Sequence, residues 1–151
     1  MTAPAAARVV LDTNVCLDAF IFGDRHAGTL LRALERGAVT GWIDHACRDE
    51  WMRVIAYPQF ALDDGAQREA TARLDRCLTL LPDEQRITRE IKLPLCKDGD
   101  DQKFMELALA AQVQWLISKD KELLKLGRRT LRDAGFAIVT LADWDSRFTL
   151  V

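Results

Sequence analysis

Apolar positions along this chain recur with two spacings, and their alternation predicts strands and helices in turn. Residues 8–11 (RVVL) form a short apolar run followed at once by the polar DTN, which predicts a buried strand ending in a turn. A helix is expected to begin across 15–22, with Thr13 or Asn14 as its cap and Gly23-Asp24 as its break. Over 26–36, Leu30, Leu31 and Leu34 mark an amphipathic helix stopped by Gly37. Residues 39–43 predict a second strand, and Asp44 stands where it hands over to a helix. Cys47, Trp51, Val54 and Ile55 recur there at helical spacing, so they should face the core. Proline disfavours helical geometry in the residue before it, so this helix should end near Tyr57-Pro58.

The longest periodic stretch is 63–81, where Ala70, Leu74, Cys77, Leu78 and Leu81 share one predicted helical face until Pro82-Asp83 closes it. Residues 83–100 are polar and irregular, with a short strand expected at 86–88. KDGDD then runs into a helix on which Phe104, Leu107, Ala108 and Ala111 lie on one face. Residues 115–117 (WLI) predict a third strand, ended by SKD as DTN ends the first. Leu123, Leu124 and Leu126 predict a short helix terminated by Gly127; a last strand at 137–139 and a final helical turn at 142–148 follow. Strands this far apart cannot form hairpins. The alternation therefore predicts an α/β fold: a three-layer α/β/α sandwich with a central, mostly parallel sheet. With no repeat or linker, residues 1–151 are expected to form one domain.

Composition narrows the function classes. At 49% hydrophobic and 29% charged residues the chain has ordinary globular make-up, and no apolar run is long enough to span a membrane. The opening MTAPAAARVV lacks a basic stretch leading into a long apolar one, so no signal peptide and a cytoplasmic location are expected. Cys16, Cys47, Cys77 and Cys96 form no CxxC pair, which fits reduced thiols better than a disulfide framework. His26 and His45 lack the spacing of zinc ligands and read as helix-start or surface residues. A net charge of −2 argues against binding nucleic acid by bulk phosphate neutralisation, but not against a nuclease whose acidic site carries metal.

The carboxylates acquire meaning once placed on the predicted sheet. Asp12 follows the first strand and Asp120 follows WLI, so both belong to the rim where α/β sheets bind ligands. Asp101 in the first turn of its helix, and Glu50 in the helix after the second strand, fall at the same rim if the crossovers are right-handed. Four such acids would repel one another, and a divalent cation resolves the conflict. Oxygen ligands without histidine or cysteine suit Mg²⁺ or Mn²⁺, the ions of phosphodiester hydrolysis. Each residue also has a plain structural reading. Asp12 and Asp120 are good helix caps, Asp98 and Asp100 read as a solvated turn, and Glu50 reads as part of a solvated face. The joint placement, rather than any one residue, points to a site.

Four stretches, VLDTNVCLDAF, HACRDEWMRVIAYPQF, DGDDQKFMELALAAQVQWLISKDKELLKL and AIVTLADW, resemble the PIN-domain family. The likeness is to its small stand-alone branch, the toxin components of bacterial toxin–antitoxin pairs. The resemblance implies that Asp12, Glu50, Asp101 and Asp120 are the family's acids. Asp12 and Asp101 would be direct metal ligands; Glu50 and Asp120 would hold waters on the metal or a second ion. Asn14 would orient the first carboxylate, Ser118 occupies a usual threonine or serine position, and Glu122 a position of a further acid. Lys119 and Cys16 depart modestly from the family's small and aliphatic residues. Implied as well are Mg²⁺ or Mn²⁺, single-stranded RNA as substrate, a homodimer and an antitoxin partner. The alternative is a non-catalytic module of the same fold that binds RNA or protein. A phosphotransfer receiver domain fits poorly, since DTN supplies one acid rather than a pair and Asp44 is a weak match for its phosphorylated residue. No aromatic stacking platform for RNA is evident, and Arg25, Arg48 and Arg53 are candidates for a basic groove.

Overall fold

The computed structural model describes residues 6–85 and 93–149. Five strands form one sheet: β1 (Ala7–Leu11), β2 (Val39–Ile43), β3 (Leu78–Leu80), β4 (Trp115–Ile117) and β5 (Ala137–Val139). Every neighbouring pair is parallel, and the order is β3-β2-β1-β4-β5. Among the described residues the helices are α1 (Thr13–Leu17), α2 (Ala27–Glu35), α3 (His45–Ile55), α4 (Asp64–Cys77), α5 (Gln102–Ala110), α6 (Lys121–Leu124), α7 (Gly127–Ala134) and α8 (Leu141–Thr149). The expected three-layer α/β/α architecture is present, with a sheet that is parallel throughout.

The order reverses direction at β1. Right-handed crossovers then send the two halves' helices to opposite faces. α2 and α4 pack together over β2 and β3, with α8 against α2, while α5 lies against β1 and β4 and α7 against β5. Strands covered on both sides must be apolar throughout. Accordingly Val9, Val10, Leu11, Leu116 and Ile117 are all buried. Gly41 in β2 makes room for the second layer, since a Cβ there would come within 2.4 Å of Leu78 Cδ2 and 3.1 Å of Leu34 Cδ2.

Three local expectations are corrected. The segment read as one helix over 63–81 is α4 followed directly by strand β3. Leu78 already has extended backbone (φ −115°, ψ 134°), and Gly41 to Ile43 pair with Leu78 to Leu80. Helical and strand periods both place Leu74 and Leu78 on the core, so apolar spacing could not separate them. WLI is consequently the fourth strand. Gly127 ends no helix; it starts α7, where its bare Cα lies close to the backbone of Ile138 in β5. The cap of α1 is Asp12, in keeping with its plain structural reading, rather than Thr13 or Asn14. The strand expected at 86–88 lies outside the described residues.

α1 runs on into a π-wound turn, Asp18–Phe22, that stops at Gly23 with φ +64°. His26 and His45 stand at the starts of α2 and α3, as their sequence context suggested. The four cysteines are free thiols, Cys16 and Cys47 among the core side chains. Among the described residues no helix is long and apolar enough to cross a membrane.

Candidate functional site

The point where strand order reverses lies between β1 and β4, and in doubly wound sheets a ligand crevice opens there. Asp12 is the first residue past β1, and its N–H donates to the Ile117 carbonyl (3.1 Å), joining the ends of the two strands. Its extended backbone makes it the cap of α1, with Oδ1 accepting from the Val15 N–H (2.9 Å). The other oxygen, Oδ2, accepts from the Ser118 hydroxyl. Burial pushes the Asp12 carboxyl up to about 6, against the opposing pull of the Ser118 and Val15 bonds.

Ser118 is fully buried at the end of β4, and its backbone N–H is tied to Val139 in β5 (2.9 Å). Its Oγ donates to Asp12 and accepts from the Asp120 N–H (3.0 Å), so one hydroxyl spaces two acids. Asp120 caps α6 through the Glu122 N–H (2.8 Å). Its carboxylate also faces Asp101, which a short 3₁₀ turn (Gly99–Asp101) presents just before α5. Two carboxyls share a hydrogen bond only if one keeps a proton. Asp101 keeps it: partial burial, the bond to Asp120 and the charges of Asp120, Asp98 and Asp12 push it up to about 7. Asp120, receiving that bond, is held below the usual carboxylate range. Asp98 plays the plain part expected of it, accepting from the Asp100 N–H at the start of the turn (3.0 Å).

Glu50 has a different environment. Thr13, next to Asp12, donates its hydroxyl to Glu50 Oε2, and Lys103 Nζ in α5 stands 2.8 Å from Oε1. The same ammonium donates to the Asp100 carbonyl (2.9 Å). On the outer rim Lys119 pairs with Asp18 at the start of the π-wound turn (3.0 and 3.2 Å), and its charge helps Asp12 ionise. The structure thus brings Asp12, Asp101, Asp120 and Ser118 together and sets Glu50 beside them on its own cation.

Two supporting residues lie apart from the roles first assigned. Asn14 is exposed, and the bonds orienting Asp12 come from Val15 and Ser118. Glu122 turns its side chain to Lys125 (3.2 Å) and meets the site through its backbone N–H. Of the arginines considered for a basic groove, Arg48 is clamped by Asp75 of α4 through two bonds, Arg53 is exposed 3.9 Å from Glu50, and Arg25 is exposed.

Sequence reasoning passed over Thr13, Asp18 and Lys103. Thr13 carried a usable signal, a hydroxyl adjoining the first acid. Asp18 and Lys103 carried none, because their partners lie 101 and 53 residues away.

Asp12, Asp101 and Asp120 are the residues that could hold a cation. Among the described residues no three or more His, Cys, Asp or Glu side chains are grouped so as to hold a metal ion on their own. Mg²⁺ needs only one or two carboxylates and fills its remaining positions with water and phosphate. An all-oxygen set in which burial and neighbouring charge suppress the ionisation of Asp12 and Asp101 fits such an ion, because the ion supplies the missing counter-charge.

A family model described as PIN domain matches residues 8–122. The chain belongs to the PIN domain family. The match runs from β1 into α6 and includes Asp12, Glu50, Asp101 and Asp120. Among solved structures, one chain in a crystal structure of VapBC2 from Rickettsia felis, bound to a DNA fragment from their promoter, shares the fold. The TM-score is 0.53 at 16% identity, covering 87% of this PIN domain chain and 96% of that one. No curated protein matches the sequence.

Proposed function

We propose that this PIN domain protein is a divalent-metal-dependent endoribonuclease that cleaves single-stranded RNA and serves as the toxin of a toxin–antitoxin pair. The observation that carries the nuclease reading is the meeting of Asp12 with the Asp101–Asp120 pair at the reversal of strand order, where Asp12 and Asp101 are held back from ionising by burial and by neighbouring charge. When bound, Mg²⁺ or Mn²⁺ supplies Lewis-acid polarisation of the phosphodiester and a nucleophile at neutral pH.

The chain's own groups do the positioning. Asp12, held by two bonds in one rotamer, and Asp101 would be the direct ligands. Asp120 would take up a proton or a water beside them, and Ser118 fixes the gap between Asp12 and Asp120. With a net charge of −2 the surface offers little bulk attraction to RNA, so affinity would depend on the ion and on nearby cations such as Lys119. The choice of RNA follows from the family resemblance. The antitoxin partner has the added support of the fold neighbour in the VapBC2 structure. The homodimer rests on the resemblance.

The test is cleavage of single-stranded RNA by the purified chain with Mg²⁺ or Mn²⁺ and with chelator, comparing Asp12→Asn and Asp101→Asn with the parent. Metal-dependent cleavage lost in both variants supports the reading. Cleavage that survives in both overturns it, and RNA binding without cleavage would indicate a non-catalytic binding module. Co-purification with the product of an adjacent reading frame tests the antitoxin.

A further inference from the structure

Glu50 is treated unlike the other three acids, and the difference lies in its partners. Both of its oxygens are occupied by groups of the chain itself, Oε2 by the Thr13 hydroxyl and Oε1 by Lys103 Nζ at 2.8 Å. The ammonium is no loose surface cation. Its side chain is 22% exposed against 15% for Glu50, and the Asp100 carbonyl holds it from the other side at 2.9 Å. Glu50 thus carries its own counter-charge beside Asp12, Asp101 and Asp120.

Resting on the metal-dependent reading above, we propose that the Lys103 ammonium takes the place of a second cation at Glu50, so that the site binds one divalent ion per chain. A divalent ion ligated by Glu50 would sit where Lys103 Nζ now stands, and two cations cannot share that space. Asp101 stands at the N-cap of α5 and Lys103 in its first turn, so a single helix start delivers one ligand and one built-in cation. In this arrangement Lys103 is a positioning residue. It holds Glu50 neutral and in place against α1 through Thr13.

The experiment counts ions on the full chain by titrating Mn²⁺ and following the free-ion signal in electron paramagnetic resonance, with Mg²⁺ calorimetry in parallel. One ion per chain is expected in the parent, bound about tenfold more weakly or worse by Asp12→Asn. Glu50→Gln should still bind one ion, as should Lys103→Arg. Lys103→Met should gain a second, weaker ion, and the double variant Lys103→Met with Glu50→Gln should return to one. Should Lys103→Met prove unfolded by circular dichroism, the parent and Glu50→Gln counts decide alone. Two ions in the parent, one of them lost in Glu50→Gln, overturn the inference while leaving metal-dependent hydrolysis standing. A folded Lys103→Met that still binds one ion overturns it too. No ion bound to the parent overturns this inference together with the metal-dependent reading.

Discussion

Asp12 uses one oxygen to cap α1 and the other to meet Ser118, so the cap and the site are one carboxylate. An ionised carboxylate offers about four acceptor positions, and both bonds leave room for a further partner. For Asp120 as well, the capping and site readings that compete in the sequence are compatible in the structure. Ser118 is the residue on which this arrangement turns. Replacing it by alanine removes the donor that helps Asp12 ionise, so the Asp12 carboxyl should rise further from its value of about 6. The loss should cost about 1–3 kcal/mol in a urea melt and weaken Mn²⁺ binding about tenfold or more. An unchanged Mn²⁺ affinity in Ser118→Ala would show that the hydroxyl does not orient the ligand. Asp12, Asp101 and Asp120 could be placed from sequence because each follows a strand or opens a helix, whereas Glu50 lies in the middle of α3. Lys103 could not be placed, since a lysine two residues into a helix carries no mark of the glutamate it will meet.

At the scale of elements, periodicity located most of the fold and failed where two periods coincide. α4 passes into β3 at Leu78 without a glycine, a proline or a polar gap, so nothing local announces the change. The pairing with β2 decides it, with the Leu81 N–H reaching the Ile43 carbonyl at 2.7 Å just beyond the strand. α7 was hidden for a related reason. Its start, Gly127, reads as a stop, yet the glycine is needed for close approach to Ile138. Thr130, fully buried in α7, ties that helix to the residue just before the last strand by donating to the Phe136 carbonyl (2.8 Å). Thr130→Val keeps the shape and leaves that carbonyl without its donor, so a loss of about 1–2 kcal/mol is expected. Chemical denaturation measures it, and a neutral result would mean that the carbonyl finds another donor.

At the scale of the molecule, the buried acids make stability depend on pH and metal together. Asp12 near 6 and Asp101 near 7 both stand above the usual 3.8. Between about pH 4 and 7 the folded, metal-free protein therefore binds more protons than the unfolded chain, and stability falls as pH rises through that window. Asp120, held low by the proton it receives from Asp101, offsets part of this. The Asp12 contribution alone corresponds to about 3 kcal/mol between its two limits. Urea midpoints in chelator should be lower at pH 8 than at pH 5; a flat or rising profile would contradict the burial of these charges. Mg²⁺ should raise the midpoint at pH 8 and do much less at pH 5, where protonated carboxyls compete with the ion. Metal-dependent cleavage should rise across the same interval.

The features readable before folding are those encoded over a few neighbouring residues. These are the alternating strands and helices, the parallel class of sheet, and the acids at the ends of β1 and β4, because side-chain period and capping are local properties. Tertiary structure decided everything that depends on who lies beside whom. It set β4 against β1 so that Asp12 and Ser118 meet, made Leu78 to Leu80 a strand, and paired Asp101 with Asp120 and Glu50 with Lys103. Charge and hydrogen bonding act through space at a few ångströms. Residues dozens of positions apart acquire such partners only when the chain folds.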